Sequence, residues 1–161
     1  MNSQITLHRT FNAPLALVWD MWTTKEGIES WWGPPGFEVV VGKLELRVGG
    51  ALEYVMTCVG AEQIAYMKQM GQPLSTALKA RYTTVQPKTV AAWMNLVDFV
   101  PDTPAYEAGT RIELIEEARN RVRVELRIDA MHNEFFTNLA AQGWEGELGK
   151  LERALSQRTH S

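Results

Sequence analysis

The residues able to do chemistry in this chain are few and widely separated. The three histidines, His8, His132 and His160, stand far apart, and their spacing offers no metal site. His8 alternates with Leu7 and belongs on the solvated face of a strand, and His160 lies in the C-terminal tail. His132, just before the last long segment, has two readings, an acid–base group or a simple junction residue. The single cysteine, Cys58, excludes an internal disulfide framework, and nothing near it in sequence would activate the thiol, so a buried, inert group is expected. Arg47 is expected to bond local carbonyls or pair with an acidic neighbour. Glu53 and Glu125 fall on outward faces and form no carboxylate pair, so acid–base hydrolysis has no sequence support. No nucleophile elbow, phosphate loop or dinucleotide glycine signature is present. No catalytic residue, metal ligand or cofactor is therefore expected.

The aromatics carry more information. Six Trp and seven Met in 161 residues can fill a core densely, or they can line a pocket for an apolar molecule. Trp32, Tyr54, Tyr82, Phe136 and Trp144 are expected between a sheet and a helix, with Met56, Met94 and Ala140 as adaptable or small wall elements. These eight residues form the candidate ligand-binding set. The Tyr54 and Tyr82 hydroxyls would be its polar handles.

The element that must hold this set is the segment Asn133 to Arg158. Phe136, Leu139, Ala140, Gly143, Trp144, Leu148, Leu151 and Leu155 recur at three- and four-residue steps, one stripe of a long helix capped by Asn133. Glu145, Glu147, Lys150, Glu152 and Arg153 are expected to face water. The first half of the stripe carries aromatic and small residues, and the second half reads as plain packing over the first two helices. The stripe needs a broad apolar partner, and alternating segments supply it. Ile5 to Phe11 reads as a half-buried strand. Pro14 opens a helix, Thr24 caps a second, and Gly33-Pro34-Pro35-Gly36 ends the helical section. Strands follow through Phe37–Val41, Leu44–Val48 and Leu52–Cys58, with a bulge at Gly42-Lys43 and a tight hairpin at Gly49-Gly50. Residues 60–71 read as an inserted short helix, with lid, homodimer contact and local packing as three equal readings. Leu78–Thr84 and Thr89–Val97 are strands, the second with an ambiguous phase that brings either Trp93 or Met94 inward. A long loop, 98–109, with Pro101 and Pro104, precedes strands around Ile112 and from Val122 to Ile128. The fold class is α+β, one domain over residues 1–161, with a curved antiparallel sheet around a long C-terminal helix. Connections in such a meander alternate between the two ends of the sheet. The insertion, the 98–109 loop and the His132 junction therefore share one end, the expected mouth.

The totals exclude several classes. A net charge of −3 gives no basic face, so nucleic acid is not expected as a partner. No apolar run is long enough for a membrane span, and the start of the chain lacks the features of a secretion signal. A cytoplasmic protein with no membrane partner is expected.

Val18-Trp19-Asp20-Met21-Trp22-Thr23, Trp31-Trp32-Gly33-Pro34, Leu46-Arg47-Val48-Gly49-Gly50, Tyr54-Val55-Met56 and Gly143-Trp144, in that order, resemble the AHSA1-like family (homologues of the activator of Hsp90 ATPase). The resemblance implies the helix-grip fold of the Bet v 1/START-like superfamily (SRPBCC), whose members commonly hold apolar small molecules under the long helix. It implies a small-molecule binding protein as the first reading. A cyclase- or hydrolase-like enzyme acting on an aromatic substrate and a co-chaperone or stress-related interaction module are the alternatives. The separate N-terminal domain of the eukaryotic co-chaperone has no counterpart here, so Hsp90 activation is not expected. The insertion at 60–71 departs from the family pattern.

Overall fold

The computed structural model of the chain describes residues 4–98, 100 and 102–159. The expectations for Pro101 and His160 lie outside these. Seven strands and four helices follow in the order β1 (Gln4–Phe11), α1 (Leu15–Thr23), α2 (Lys25–Glu29), β2 (Phe37–Leu44), β3 (Ala51–Cys58), α3 (Ala61–Gln69), β4 (Ser75–Gln86), β5 (Val90–Val97), β6 (Tyr106–Ala118), β7 (Arg121–Asp129) and α4 (Glu134–Thr159). The strands make one antiparallel sheet in the order β1-β7-β6-β5-β4-β3-β2. The sheet curves around α4, as expected for α+β.

Alternation sets the faces. On β7, Val122, Val124, Leu126 and Ile128 are buried while Arg121, Arg123, Glu125 and Arg127 turn outward. Arg123 and Arg127 both reach Glu125, at 3.2 and 3.9 Å. The register places Ile112 opposite Leu126 and Leu114 opposite Val124, joining the apolar face across β6. The bulge at Gly42-Lys43 is present as a break in register between Val41 and Lys43. The tight hairpin is not. β2 ends at Leu44, and residues 45–50 form a folded loop in which Arg47 Nη2 meets Glu45 Oε2 at 3.0 Å and Gly50 N–H donates to the Arg47 carbonyl. Val48 is accordingly exposed rather than part of a strand. The long loop is shorter than expected, since β6 already begins at Tyr106.

The helical section packs because of its caps and indoles. Thr24 ends α1 and starts α2, its hydroxyl accepting from the Gly27 N–H at 3.0 Å. A Cβ on Gly27 would collide with the Asp20 carbonyl, so only glycine lets α1 and α2 meet so closely. Trp31 Nε1 donates to the Met21 carbonyl at 2.7 Å. Trp22, Met21, Trp31 and Ile28 are all buried against the sheet and α4. Asn133 caps α4, its side-chain oxygen accepting from Phe136 N–H at 2.9 Å. Leu148, Leu151 and Leu155 are buried, and α4 lies over β1 and α1. Leu139, expected on the same stripe, is instead 47% exposed; the buried face of the first half runs through Thr137, Ala140, Gly143, Trp144 and Glu147. No helix among the described residues is long and apolar enough to cross a membrane.

Candidate functional site

A cavity of about 350 Å³ lies between the sheet and the first half of α4. Its position follows from the register. Met56 pairs with Thr76 and Tyr54 with Leu78 where β3 passes to β4; Asn95 pairs with Ala108 and Trp93 with Thr110 where β5 passes to β6. Ile128, Asp129 and Met131 add the end of β7 and its exit into α4, and Ala140, Gly143, Trp144 and Glu147 form the helical wall. The cavity thus sits at the end of the sheet where those three connections gather. At that end His132 is exposed, its ring Nδ1 2.7 Å from the Tyr106 hydroxyl and its ring 4.6 Å from that of Phe136.

The back wall is an indole cluster drawn from four parts of the chain. Trp22 lies 4.6 Å from Trp31, 5.7 Å from Trp144 and 6.4 Å from Trp93, ring centre to ring centre. Trp32 stacks on Trp93 at 5.8 Å and stands edge-on to Tyr54 at 5.3 Å and to Trp144 at 5.9 Å. Mixed stacked and perpendicular contacts of this kind are favourable and fix ring orientation.

Of the eight candidate residues, the structure gathers five around the cavity: Trp32, Tyr54, Met56, Ala140 and Trp144. The other three lie elsewhere. Tyr82 is buried in the core beside Trp93, and its hydroxyl has no hydrogen-bond partner. Met94 is on the opposite face of β5, because Trp93 takes the inward position in that strand's alternation. Phe136 sits against His132 and Phe135 near the start of α4. The inserted helix α3 supplies no wall residue. It covers Phe37 instead, through Glu62, Gln63, Tyr66 and Met67, around a separate pocket of about 270 Å³.

Glu147 was expected in water and is buried on the cavity wall. Its Oε1 accepts the Gly33 N–H at 2.7 Å. Lys150, one turn later, donates to the carbonyls of Gly33 at 2.8 Å and Trp32 at 3.4 Å. Gly33 has φ +91°, a conformation that favours glycine, so the turn after Trp32 presents both its N–H and its carbonyl to α4. Burial raises the Glu147 carboxyl to a pKa of about 7, against the lowering effects of the Gly33 bond and the Lys150 charge. Burial, and then the Glu147 charge, push the Tyr54 hydroxyl well above its ordinary value. The other carboxyl on the wall, Asp129, has both oxygens engaged: Oδ1 with Gln4 at 3.1 Å and Oδ2 with the Gly109 N–H at 2.8 Å. Asn95 spends its amide on the Ala108 carbonyl and the Thr110 hydroxyl.

The sequence did hold a signal for Glu147. It falls three residues after Trp144 and four before Leu151, which puts it on the apolar stripe. No group of three or more metal-binding side chains occurs among the described residues, and Cys58 is a buried free thiol.

Residues 12–156 match the family described as activator of Hsp90 ATPase homolog 1-like protein. The chain belongs to that family. Solved structures share its fold. A protein from Chromobacterium violaceum aligns with a TM-score of 0.76 at 19% identity, covering 95% of this chain and 97% of its own. One from Nitrosomonas europaea gives 0.73 at 22% identity, covering 98% and 97%. The AHSA1 protein from Silicibacter pomeroyi gives 0.74 at 18% identity, covering 97% and 99%. No curated protein matches the sequence. The AHSA1-like chain therefore has the helix-grip architecture of the Bet v 1/START-like superfamily.

Proposed function

We propose that this AHSA1-like protein binds an apolar or aromatic small molecule under the first half of α4. The observation that carries the reading is the cavity itself. At about 350 Å³ it falls within the range of small-molecule sites. Its walls combine the large apolar surfaces of Trp32, Trp93, Trp144, Leu78 and Met56 with a few polar groups. The Trp32 indole N–H is sealed from the cavity and without a partner.

Glu147 and Asp129 mean that titratable groups do line the cavity, so acid–base chemistry is not excluded by their absence. Thr76, Lys79 and Thr110 line it as well.

Native mass spectrometry of freshly purified protein, with a thermal-shift screen of lipids, sterols and aromatic acids and amines, tests the reading. A ligand at 100 times its Kd adds about 2.7 kcal/mol, a clear shift. The control is Gly143→Leu. A Cβ at Gly143 meets nothing within 4 Å, so the larger side chain should grow into the cavity and abolish the shift while the protein stays folded. No carried ligand and no shift with any class, or shifts unchanged in Gly143→Leu, would count against it.

A further inference from the structure

Glu147 combines three properties: burial, a place on the cavity wall, and an oxygen left over. Its Oε1 is held by Gly33, while Oε2 takes part in none of the hydrogen bonds between described residues and is not among the sealed, unpartnered polar atoms. Lys150 does not neutralise it by direct contact, since that ammonium is committed to the Trp32 and Gly33 carbonyls and no ion pair joins the two. The side chain is held in place by the Gly33 bond, so it is preorganised rather than adaptable. Around it stand Trp32, Tyr54 and Trp144, with Trp32 at 83° to Tyr54 and 82° to Trp144.

Steep aromatic walls beside a buried carboxyl suit one kind of ligand group. A protonated nitrogen gains from aromatic faces and from a charge-assisted hydrogen bond to the carboxylate. A neutral hydroxyl can donate to the free oxygen but without charge assistance, so it gains less. An anionic ligand placed at Glu147 meets a like charge at short range once that carboxyl is ionised, although Lys79 also lines the wall. We propose that the ligand is an organic amine, with an apolar or aromatic body in the cavity and its ammonium on the free oxygen of Glu147. This rests on the reading of the cavity as a ligand site and narrows it to one chemical class.

The test is a matched set of 4-phenylbutylamine, 4-phenylbutan-1-ol and 4-phenylbutanoate, extended to alkyl chains of similar size. Binding is followed at pH 8 through tryptophan fluorescence, to which Trp32, Trp93 and Trp144 contribute from the wall. The amines bind at least tenfold more tightly than the alcohols, and the carboxylates bind weakest. In Glu147→Gln, whose amide oxygen still accepts from Gly33, the amines lose that advantage and the alcohols change less than threefold. In the wild type, amine affinity falls roughly a hundredfold between pH 8 and pH 5 as Glu147 takes up its proton, whereas alcohol affinity does not fall. The charged and titratable groups around Glu147 are Tyr54 on β3, Lys79 on β4, Asp129 on β7 and Lys150 on α4. Alcohols binding as well as amines, or an amine preference that survives in Glu147→Gln, overturns the inference and leaves the cavity reading standing. Failure of every member of the set to bind overturns both. Should Glu147→Gln not fold, as judged by near-ultraviolet circular dichroism, the wild-type pH profile decides alone.

Discussion

Replacing Glu147 by glutamine should stabilise the protein at neutral pH and leave it unchanged in acid. The carboxyl has an ordinary value of 4.5 in the unfolded chain and about 7 in the fold. Between those two values the unfolded chain releases the proton while the folded protein keeps it. Stability contributed by the protonated group is thus complete below pH 4.5, declines as pH rises, and is gone above pH 7. At 1.36 kcal/mol per pH unit the loss is about 3 kcal/mol. Glutamine resembles the protonated form, keeps the Gly33 hydrogen bond and does not titrate. The two proteins should therefore have similar unfolding free energies near pH 4.5, with the variant ahead by about 3 kcal/mol at pH 8. For a chain of this length that is roughly 6–12 °C in Tm. Urea unfolding of both proteins at half-unit pH steps measures the difference directly, and taking the difference cancels every other carboxylate. A gap that does not change with pH would refute the burial argument. A gap opening the other way, with the wild type more stable at pH 8, would mean that Lys150 in fact neutralises Glu147.

Gly143→Ala should raise stability by about 0.5–1 kcal/mol, read from the urea midpoint, because a mid-helix glycine is replaced where a methyl meets nothing. Tyr82→Phe should be neutral or gain about 1 kcal/mol in the same assay, since the buried hydroxyl it deletes has no partner. Thr24→Ala should cost about 1 kcal/mol by leaving the Gly27 N–H without its acceptor, measurable as a lower Tm.

The sheet was legible because its inward positions alternate cleanly, as Val122, Val124, Leu126 and Ile128 do. The caps Thr24 and Asn133 were legible because their chemistry is local. The end of the sheet that holds the cavity followed from alternation of the connections. What failed depended on depth within the fold. The β5 segment is apolar on both faces, so nothing in its pattern could choose between Trp93 and Met94. Tyr82 and Tyr54 look alike in sequence, yet only Tyr54 lies at the end of the sheet where packing leaves space. Glu147 was hidden by polar helical neighbours, and its burial requires the turn at Gly33 more than a hundred residues earlier. The hairpin failed because Gly49 and Gly50 pair onward with Tyr82 of β4 rather than closing a two-residue turn.

The pairing of β1 with β7, from Gln4–Asp129 to Phe11–Val122, bears on how the protein is made. The first strand must wait for the last one. Until β7 emerges from the ribosome, α1 and α2 have only part of the sheet to lie against, and the Trp22–Trp31 pair remains in need of cover. Contacts so distant along the chain close slowly, and apolar surface left waiting invites association with other chains. Folding of this protein should therefore complete late in synthesis or after release, and its yield should depend on chaperone supply and translation speed more than its native stability would suggest.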